Sequence, residues 1–519
     1  MTPTISVESI LPELKNIIAE YIFPKLYLGR SPLFRLGICL RSCNTTYRNT
    51  FTRIIKSEIK NNNMMINVRG RKSEDGLYLI FGAENGIFNN IEHADLTRVK
   101  FASNLLRVLP STLKTLHLEK MNFVSLDEVH HISHLVNLTS LGVDGCSIGD
   151  GTFLRALAAL PSIENLADLR LRNDPFAGDV VAELVMIERF SKLSVLDLSN
   201  NHIRCEHIQQ LAPSPYMGRL TSLNLSSNSI GNESMTLIAN SPYFGNLTQL
   251  ILDFNRGIGD EGIIELTRSS YLRQLTKLGV IDSNITALGF IRILESEPFN
   301  RLTTLDVSRI SLSTAPLSAL PQRLFISSIT SLDLSEGFID NIILPVVMGT
   351  SLLMNLRTLD LSGGNYTNAS AGCSDPILSV VEAIARSPYV RNITNLNLSM
   401  CAVDERWLKV LADTSNFSKL TALNLSSNHI GDEGVYFLLQ SRNLGSLIYL
   451  YMFDNFVKIG GALALASSEF LGRLMYLDLS SNKIDVVGLQ ALLQSKLLNG
   501  YKDLKMDIKH QRTSDDDCG

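Results

Sequence analysis

Leucine and isoleucine recur along this chain in the pattern Leu-x-x-Leu-x-Leu-x-x-Asn-x-Ile, with polar residues filling the gaps. The pattern starts at Leu113, Leu138, Leu166, Leu193, Leu220, Leu247, Leu275, Leu302, Ile329, Leu356, Ile393, Leu420, Leu447 and Leu474. Successive starts lie 25, 28, 27, 27, 27, 28, 27, 27, 27, 37, 27, 27 and 27 residues apart. A fixed period of this size marks stacked supersecondary units. Within a unit, the alternation at Leu-x-Leu predicts a strand. Apolar residues at helical spacing behind an acidic first turn predict a helix in the second half, as in Gly431–Gln440, Glu261–Leu266 and Gly488–Gln494. A truncated unit at Tyr501, Leu504 and Met506 predicts a last strand.

These units resemble the leucine-rich repeat, most clearly at Leu220–Ile230, Leu420–Ile430 and Leu474–Ile484. The period of 27 with a helical half is similar to the ribonuclease-inhibitor type. The resemblance implies an α/β solenoid, a horseshoe with a parallel sheet on the concave side and helices on the convex side. It also implies that the ninth-position asparagines (Asn201, Asn228, Asn255, Asn428, Asn455 and Asn482) turn the chain inward and satisfy backbone groups of adjacent turns. Cys146 and Cys401 are substitutes the family tolerates there. Ile310, Gly337 and Gly364 depart from it, so looser central turns are expected.

A solenoid needs capped ends. Residues 1–63 are not a repeat. Pro12 suits a helix first turn, and Leu11, Leu14, Ile17, Ile18, Tyr21 and Ile22, then Leu33, Leu36, Leu40, Cys43 and Tyr47, have helical spacing. The region resembles an F-box through Leu11-Pro12-Glu13-Leu14 followed by an apolar helix and Cys43-Asn-Thr-Thr-Tyr47. An α-helical N-terminal cap is the alternative. As an F-box, Leu11, Pro12, Leu14, Ile17 and Ile18 would dock on a Skp-type adaptor of a ubiquitin ligase. The combination resembles F-box/leucine-rich-repeat proteins, including bacterial effectors of the GALA type, which Gly461–Ala466 echoes. Residues 64–112 read as degenerate repeats, for example at Ile91–Leu96, and residues 113–509 as the array proper. The long unit carries a polar loop at 363–376, and residues 510–519 form an acidic tail expected to be disordered.

Composition narrows the function classes. Hydrophobic residues make up 45% and charged residues 19%, which is globular. A net charge of −4 lacks the basic footprint that nucleic acid requires. The seven cysteines are odd in number, widely spaced and without a Cys-x-x-Cys pair, which fits a reduced, cytoplasmic setting, or a host cytosol for an effector. Met1–Ser9 has no basic region and no apolar run precedes Pro12, so no secretory signal is expected. The apolar stretch Ile342–Met354 is interrupted at Pro345 and Gly349 and is too short to span a bilayer. Sequons such as Asn137, Asn246 and Asn392 fall at repeat strands and read as by-products of the repeat.

Two patterns mimic chemistry. Gly257-Ile-Gly259-Asp-Glu-Gly262, with Asp282 beyond, spells a dinucleotide fingerprint. It is also the repeat's own Gly-Asp-Glu-Gly, and the repeat offers no crevice of a doubly wound sheet. His130 and His134 would share a helix face suited to zinc, but a third ligand at good spacing is missing. No Walker loop or nucleophile elbow is present. The expectation is a non-enzyme with no cofactor and no metal.

Strand alternation exposes the third, fifth and seventh positions of each unit on the concave face. Most units carry Asp or Asn at the fifth and Ser at the seventh. One unit departs with Tyr449, Tyr451 and Phe453, and Tyr476 lies beside Tyr449 on the next strand. Exposed aromatics suit a binding hot spot; a tail folding back over them is the alternative. Asp306, Asp333 and Asp360 line up in consecutive units, where like charges repel. Arg170 and Arg172 form a basic spot. The expected function is a protein-recognition scaffold, a monomer that seats a folded protein partner on this face, with no nucleic acid and no membrane. An F-box-like ubiquitin-ligase adaptor, a ribonuclease-inhibitor-like sensor and a Ran-regulator-like GTPase activator remain as alternatives. The last has no arginine matching a finger motif.

Overall fold

The computed structural model describes residues 34–37, 64–69, 92–97, 106–107, 109–120, 126–146, 148, 151–174, 179–312, 328–340, 347–367, 376–468, 474–495 and 503–505. The chain divides into two compact units. The first comprises Met1–Asn228 with Ser241–Leu247, and the second Ser229–Asn240 with Thr248–Gly519.

The first unit is a parallel ladder of β1 (Phe34–Gly37), β2 (Met64–Arg69), β3 (His93–Thr97), β4 (Thr115–Glu119), β5 (Ser140–Asp144), β6 (Asp168–Arg170), β7 (Val195–Asp197) and β8 (Ser222–Asn224), each paired with the next. Helices α1 (Thr152–Ala158), α2 (Asp179–Met186) and α3 (Cys205–Leu211) return the chain between strands. In the second unit β9 (Gln249–Ile251), β10 (Lys277–Gly279) and β11 (Thr304–Asp306) pair in turn. A short strand, β12 (Ser311–Leu312), follows β11. The main ladder then continues through β13 (Ser331–Asp333) and β15 (Thr358–Asp360), which are followed by β14 (Phe338–Asp340) and β16 (Asn365–Thr367). It ends with β17 (Asn395–Asn397), β18 (Ala422–Asn424), β19 (Tyr449–Tyr451), β20 (Tyr476–Asp478) and β21 (Asp503–Lys505). Its helices are α4 (Asn232–Ala239), α5 (Asp260–Thr267), α6 (Ala287–Leu294), α7 (Pro376–Arg386), α8 (Glu405–Asp413), α9 (Gly431–Gln440), α10 (Ile459–Ser467) and α11 (Val486–Gln494).

Each repeat folds because its three leucine positions point one way. Leu420, Leu423 and Leu425 are fully buried, and so are Leu447, Leu450 and Met452 apart from a trace of Leu447. Each such side chain contributes about 1.5–3 kcal/mol. Helices add an inward face, such as Trp407, Leu408 and Leu411 of α8, whose Asp404 caps the Arg406 N–H. Serines after the helices stitch neighbours together: Ser441 Oγ donates to Ala412 O at 2.9 Å, and Ser296 Oγ to Thr267 O at 3.1 Å.

The asparagine column forms as the resemblance implies. Asn428 Oδ1 accepts from Cys401 N (3.0 Å) and Val403 N (2.9 Å), while its Nδ2 donates to Leu398 O, Leu425 O and Ser426 O. Cys401 Sγ reproduces part of this by donating to Leu361 O at 3.1 Å, and Cys146 Sγ does so to Leu118 O at 3.4 Å. Asp174 fills the same position and accepts the Cys146 N–H at 2.9 Å. The residue before the column residue turns left-handed in unit after unit: Asn200, Ser227, Phe254, Arg309, Glu336, Met400, Ser427, Asp454 and Ser481 all have φ between 51° and 60°. Gly145 (φ 60°) stands beside the column residue Cys146, and Gly363 (φ 63°) takes this turn without strain.

Two expectations need correction. The spacing Leu33, Leu36, Leu40 predicts helix, yet Phe34–Gly37 is a strand paired with β2. The run also alternates apolar residues at period 2 (Phe34, Leu36, Ile38, Leu40), and so short a run does not separate the two periods. The rest of 1–63, with the F-box-like residues Leu11, Pro12, Leu14, Ile17 and Ile18, lies outside the described residues, as do the 510–519 tail and residues 368–375 of the polar loop. Secondly, the turns lacking asparagine are not simply looser. After Ile310, Gly337 and Gly364 the chain forms β12, β14 and β16, a separate three-stranded parallel ladder. There the backbones of neighbouring turns pair directly, the Phe338 N–H donating to Ile310 O at 3.1 Å.

Candidate functional site

In most repeats of the ladders the third, fifth and seventh positions carry the exposed and half-exposed residues opposite the buried leucines, whereas Asp144, Asp197 and Ser308 are buried there. The default fifth–seventh pair is a small bracket: Asn224 Oδ1 accepts from Ser226 N and Oγ, Asp306 Oδ1 from Ser308, Asp360 Oδ1 from Ser362, Asn397 Oδ1 from Ser399 and Asp478 Oδ1 from Ser480. Asp and Asn serve equally, so this bracket belongs to the fold.

The β19 repeat discards both members of the bracket. Tyr451 and Phe453 occupy its places, with Tyr449 before them. Tyr449 is 42% exposed and Phe453 39%. Register sets Tyr449 opposite Tyr476 and Tyr451 opposite Asp478. The Tyr451 and Tyr476 rings meet diagonally, centroids 4.8 Å apart and tilted by 42°. The Tyr476 hydroxyl reaches Asp478 Oδ2 at 3.3 Å. The four aromatic residues therefore belong to two adjacent repeats, Tyr449, Tyr451 and Tyr476 on the paired strands and Phe453 just after β19. Phe456 in the same repeat was not anticipated. It is 40% exposed, has φ 58°, stacks on His429 (5.4 Å) and lies under Lys483 Nζ (4.9 Å). A bulky residue in that left-handed conformation is strained, whereas His202 and Ala402 take the equivalent turn with small or polar side chains. Its signal in the sequence is a phenylalanine at the tenth position of the unit, which Phe338 alone shares and which the other repeats give to smaller or polar residues such as Ser, Asn, His, Ala, Arg or Lys.

The three acids Asp306, Asp333 and Asp360 lie side by side in register on β11, β13 and β15. Burial pushes the Asp333 carboxyl above its ordinary range, opposed by hydrogen bonds from Ser335 and reinforced by the negative charges of Asp306 and Asp360. Asn397 Nδ2 donates to Asp360 Oδ2 at 2.8 Å. Among the described residues, no lysine or arginine pairs with these three. Asp253, in the seventh position after β9, extends the acidic character and was missed. Its pKa is raised to about 6, chiefly by burial, and its Oδ1 accepts the Ile281 N–H at 3.0 Å. Gly279 makes the room: a Cβ there would stand 2.6 Å from Asp253 Oδ1. A glycine in mid-strand beside an acid was the available clue.

The first unit's face is differently built. Arg170 forms a two-pronged pair with Asp168 (3.0 and 2.8 Å), and Arg172 binds Asp197 at 2.8 Å and lies 3.7 Å from Asp144. His117 Nε2 lies 2.7 Å from Asp144 Oδ2, with Asp95 3.6 Å from Nδ1. The hydrogen bond to Asp144 raises the His117 pKa against the pull of burial. Gly142 leaves the space for that ring, since a Cβ there would be 2.6 Å from His117 Cδ2. The basic spot at Arg170 and Arg172 is thus a network in which acids match the cations.

The two chemical mimics resolve structurally. Asn232 Oδ1 accepts from Gly259 N (2.8 Å) and Gly262 N (3.2 Å), so the N–H groups a phosphate would need are occupied. Asp282 pairs with Arg256. Residues Leu126–Ile132 form a 3₁₀ helix, His134 Nε2 lies 2.7 Å from Leu109 O, and His131 Nε2 lies 2.7 Å from Arg107. Among the described residues no three His, Cys, Asp or Glu side chains gather to hold a metal ion. The sequon residues Asn137, Asn246 and Asn392 each donate to a carbonyl of the preceding repeat.

Residues 220–239, 246–266, 418–439 and 474–493 match the family described as Leucine Rich repeat. No curated protein matches the chain. Among solved structures it is similar to an internalin from Listeria monocytogenes, at 19% identity over 74% of this chain and 89% of that one, with a TM-score of 0.42. It is also similar to a leucine-rich-repeat protein from Leptospira interrogans, at 18% identity over 85% and 96%, with a TM-score of 0.41. With its period, its asparagine column and its parallel ladder on the page, the chain carries leucine-rich repeats and has the fold of a leucine-rich-repeat solenoid.

Proposed function

We propose that this chain is a non-catalytic protein-recognition scaffold whose partner seats on the aromatic surface of β19 and β20. The observation that carries this is the β19 repeat, which gives up the Asn/Asp-x-Ser bracket found in its neighbours and sets the half-buried Tyr451 and the exposed Phe453 there instead, beside the exposed Tyr449. The strand does not require the exchange, because Asn424 and Ser426 make the same strand with the Ser426 N–H held by Asn424 Oδ1. Aromatic residues of this kind dominate protein interfaces, each contributing about 2 kcal/mol or more. Leucine-rich-repeat proteins in general act in such recognition.

The test restores the default. The double substitution Tyr451→Asn with Phe453→Ser keeps the fold and is expected to abolish recovery of partners that co-purify with the intact chain. Unchanged recovery would sink the proposal. A ubiquitin-ligase adaptor role is a separate, finer proposal, supported by the F-box-like residues Leu11, Pro12, Leu14, Ile17 and Ile18 alone. It requires that the full chain capture a Skp-type adaptor and that Leu14→Asp with Ile18→Asp lose it. A reduced compartment is the proposed setting, supported by the odd number and wide spacing of the seven cysteines. Among the described residues no helix is long and apolar enough to cross a membrane.

A further inference from the structure

The fifth positions of the second unit's ladder, from β11 onward, read Asp306, Asp333, Asp360, Asn397, Asn424, Tyr451, Asp478. The third positions beside them are Thr304, Ser331, Thr358, Asn395, Ala422, Tyr449 and Tyr476. The seventh are Ser308, Ser335, Ser362, Ser399, Ser426, Phe453 and Ser480. This stretch of face holds four carboxylates and no lysine, arginine or histidine. A carboxylate, Asp478, stands directly opposite Tyr451 within the aromatic surface itself. The aromatic rings and the acid row are therefore one continuous surface with a single sign of charge.

Both halves favour the same visitor. Carboxylates in a row repel one another, and a cationic side chain laid over them relieves that repulsion. Exposed tyrosine rings attract ammonium and guanidinium groups through their faces while accepting apolar stems. An acidic partner, a nucleic acid included, would meet repulsion along the whole row. We infer that the partner presents an extended lysine- or arginine-bearing segment that crosses the strands, with an apolar anchor on Tyr449, Tyr451, Phe453 and Tyr476 and basic residues over Asp360, Asp333 and Asp306. This rests on the aromatic surface being the partner site. The spacing follows from strand geometry. Strands about 4.8 Å apart put Asp360 about 14 Å and Asp306 about 24 Å from Tyr451. An extended chain advances about 3.4 Å per residue, so the basic residues stand about four to seven residues from the anchor.

The experiment pans a displayed library of random peptides, each about fifteen residues long, against the full chain and measures the winners as synthetic peptides. The comparison variants are the triple substitution D306N/D333N/D360N and the double Tyr451→Asn with Phe453→Ser. Both preserve the bracket chemistry that Asn397 with Ser399 and Asn424 with Ser426 already use. The expected winners combine an apolar or aromatic residue with lysine or arginine at the stated spacing. Their affinity should fall about tenfold on the triple variant at low salt, with the difference nearly gone at about 0.5 M salt, and binding should be lost on the double variant. Winners that need Tyr451 and Phe453 but show no basic preference, or bind the triple variant equally well, overturn this inference and leave the partner site standing. Winners indifferent to the double variant, or no winners at all, overturn both.

Discussion

The two units present sheet faces made from the same repeat, yet their charges are handled in opposite ways. In the first unit Asp95, Asp144, Asp168 and Asp197 are met by His117, Arg170 and Arg172 within the face. In the second, Asp306, Asp333 and Asp360 sit side by side with no such cations, and aromatic rings follow them. A surface whose groups are already matched gains little from a visitor. One left with excess charge of a single sign and exposed rings gains a great deal. If the proposed partner site is the right one, the difference teaches that recognition in such an array is located by the absence of internal partners more than by the presence of any residue type.

Opposite signs of mutational effect sharpen the contrast. The largest is expected in the first unit. Arg172→Met leaves the nearly buried Asp197 without its cation and Asp144 with His117 alone, and should destabilise by about 2–3 kcal/mol in a chemical denaturation series. A neutral outcome would mean the network is ornamental. In the second unit removal of an acid should stabilise. The Asp253 carboxyl, with a pKa of about 6 when folded, binds its proton more tightly than in the unfolded chain. Its protonated form contributes fully below pH 4, and that contribution is lost as pH rises from 4 to 6. Asp253→Asn, which keeps the acceptor for Ile281 N–H, should therefore raise stability by about 2 kcal/mol at pH 7.5 and by almost nothing at pH 4. Equal effects at both pH values would argue against a strained carboxylate.

Smaller effects complete the set. Asp333→Asn should stabilise by at most about 1 kcal/mol at neutral pH, because it removes a half-buried charge flanked by two others; thermal melts at pH 7 check this, and a loss of stability counts against the repulsion. For His117 the sign runs the other way. Its pKa is raised on folding, so its contribution is complete below its unfolded value near 6.5 and fades as pH rises through the folded one. The stability gap between the native chain and His117→Gln should thus be about 1 kcal/mol at pH 6 and shrink by pH 8.5. A gap independent of pH would show that His117 acts by packing alone.

Much of this was legible because a leucine-rich repeat writes its geometry as a period. Leu420, Leu423 and Leu425 announce their burial by spacing, and the same spacing places Tyr449, Tyr451 and Phe453 on the other face. Position alone also identifies Asn428 as a turn residue. What stayed hidden depends on neighbours in the next turn. His117 reaches Asp144 only over the gap at Gly142, and Asp253 leans over Gly279, so neither pair follows from one unit read by itself. Phe34–Gly37 was obscured by a run too short to separate period 2 from 3.6. The column substitute Asp174 was overlooked because its role shows only in the N–H it accepts from Cys146.

The small ladder of β12, β14 and β16 has a consequence for how this chain can change. In most other turns a column side chain, usually an asparagine amide, is a clamp joining neighbouring repeats in addition to the main ladder, and its loss would loosen them in a nearest-neighbour array. In the ladder segment the clamp is main chain to main chain, and main-chain bonds are blind to side-chain identity. The demand for an amide is therefore lifted at Ile310, Gly337 and Gly364, while Ile310 and Gly337 remain buried and bound by packing. The lengthened unit of 37 residues, from Leu356 to Ile393, begins in this same stretch. Register survives the extra length there because Asn365–Thr367 is already paired before the added residues begin. Among the described residues this stretch shows a unit lengthening while the paired backbone around it keeps its register.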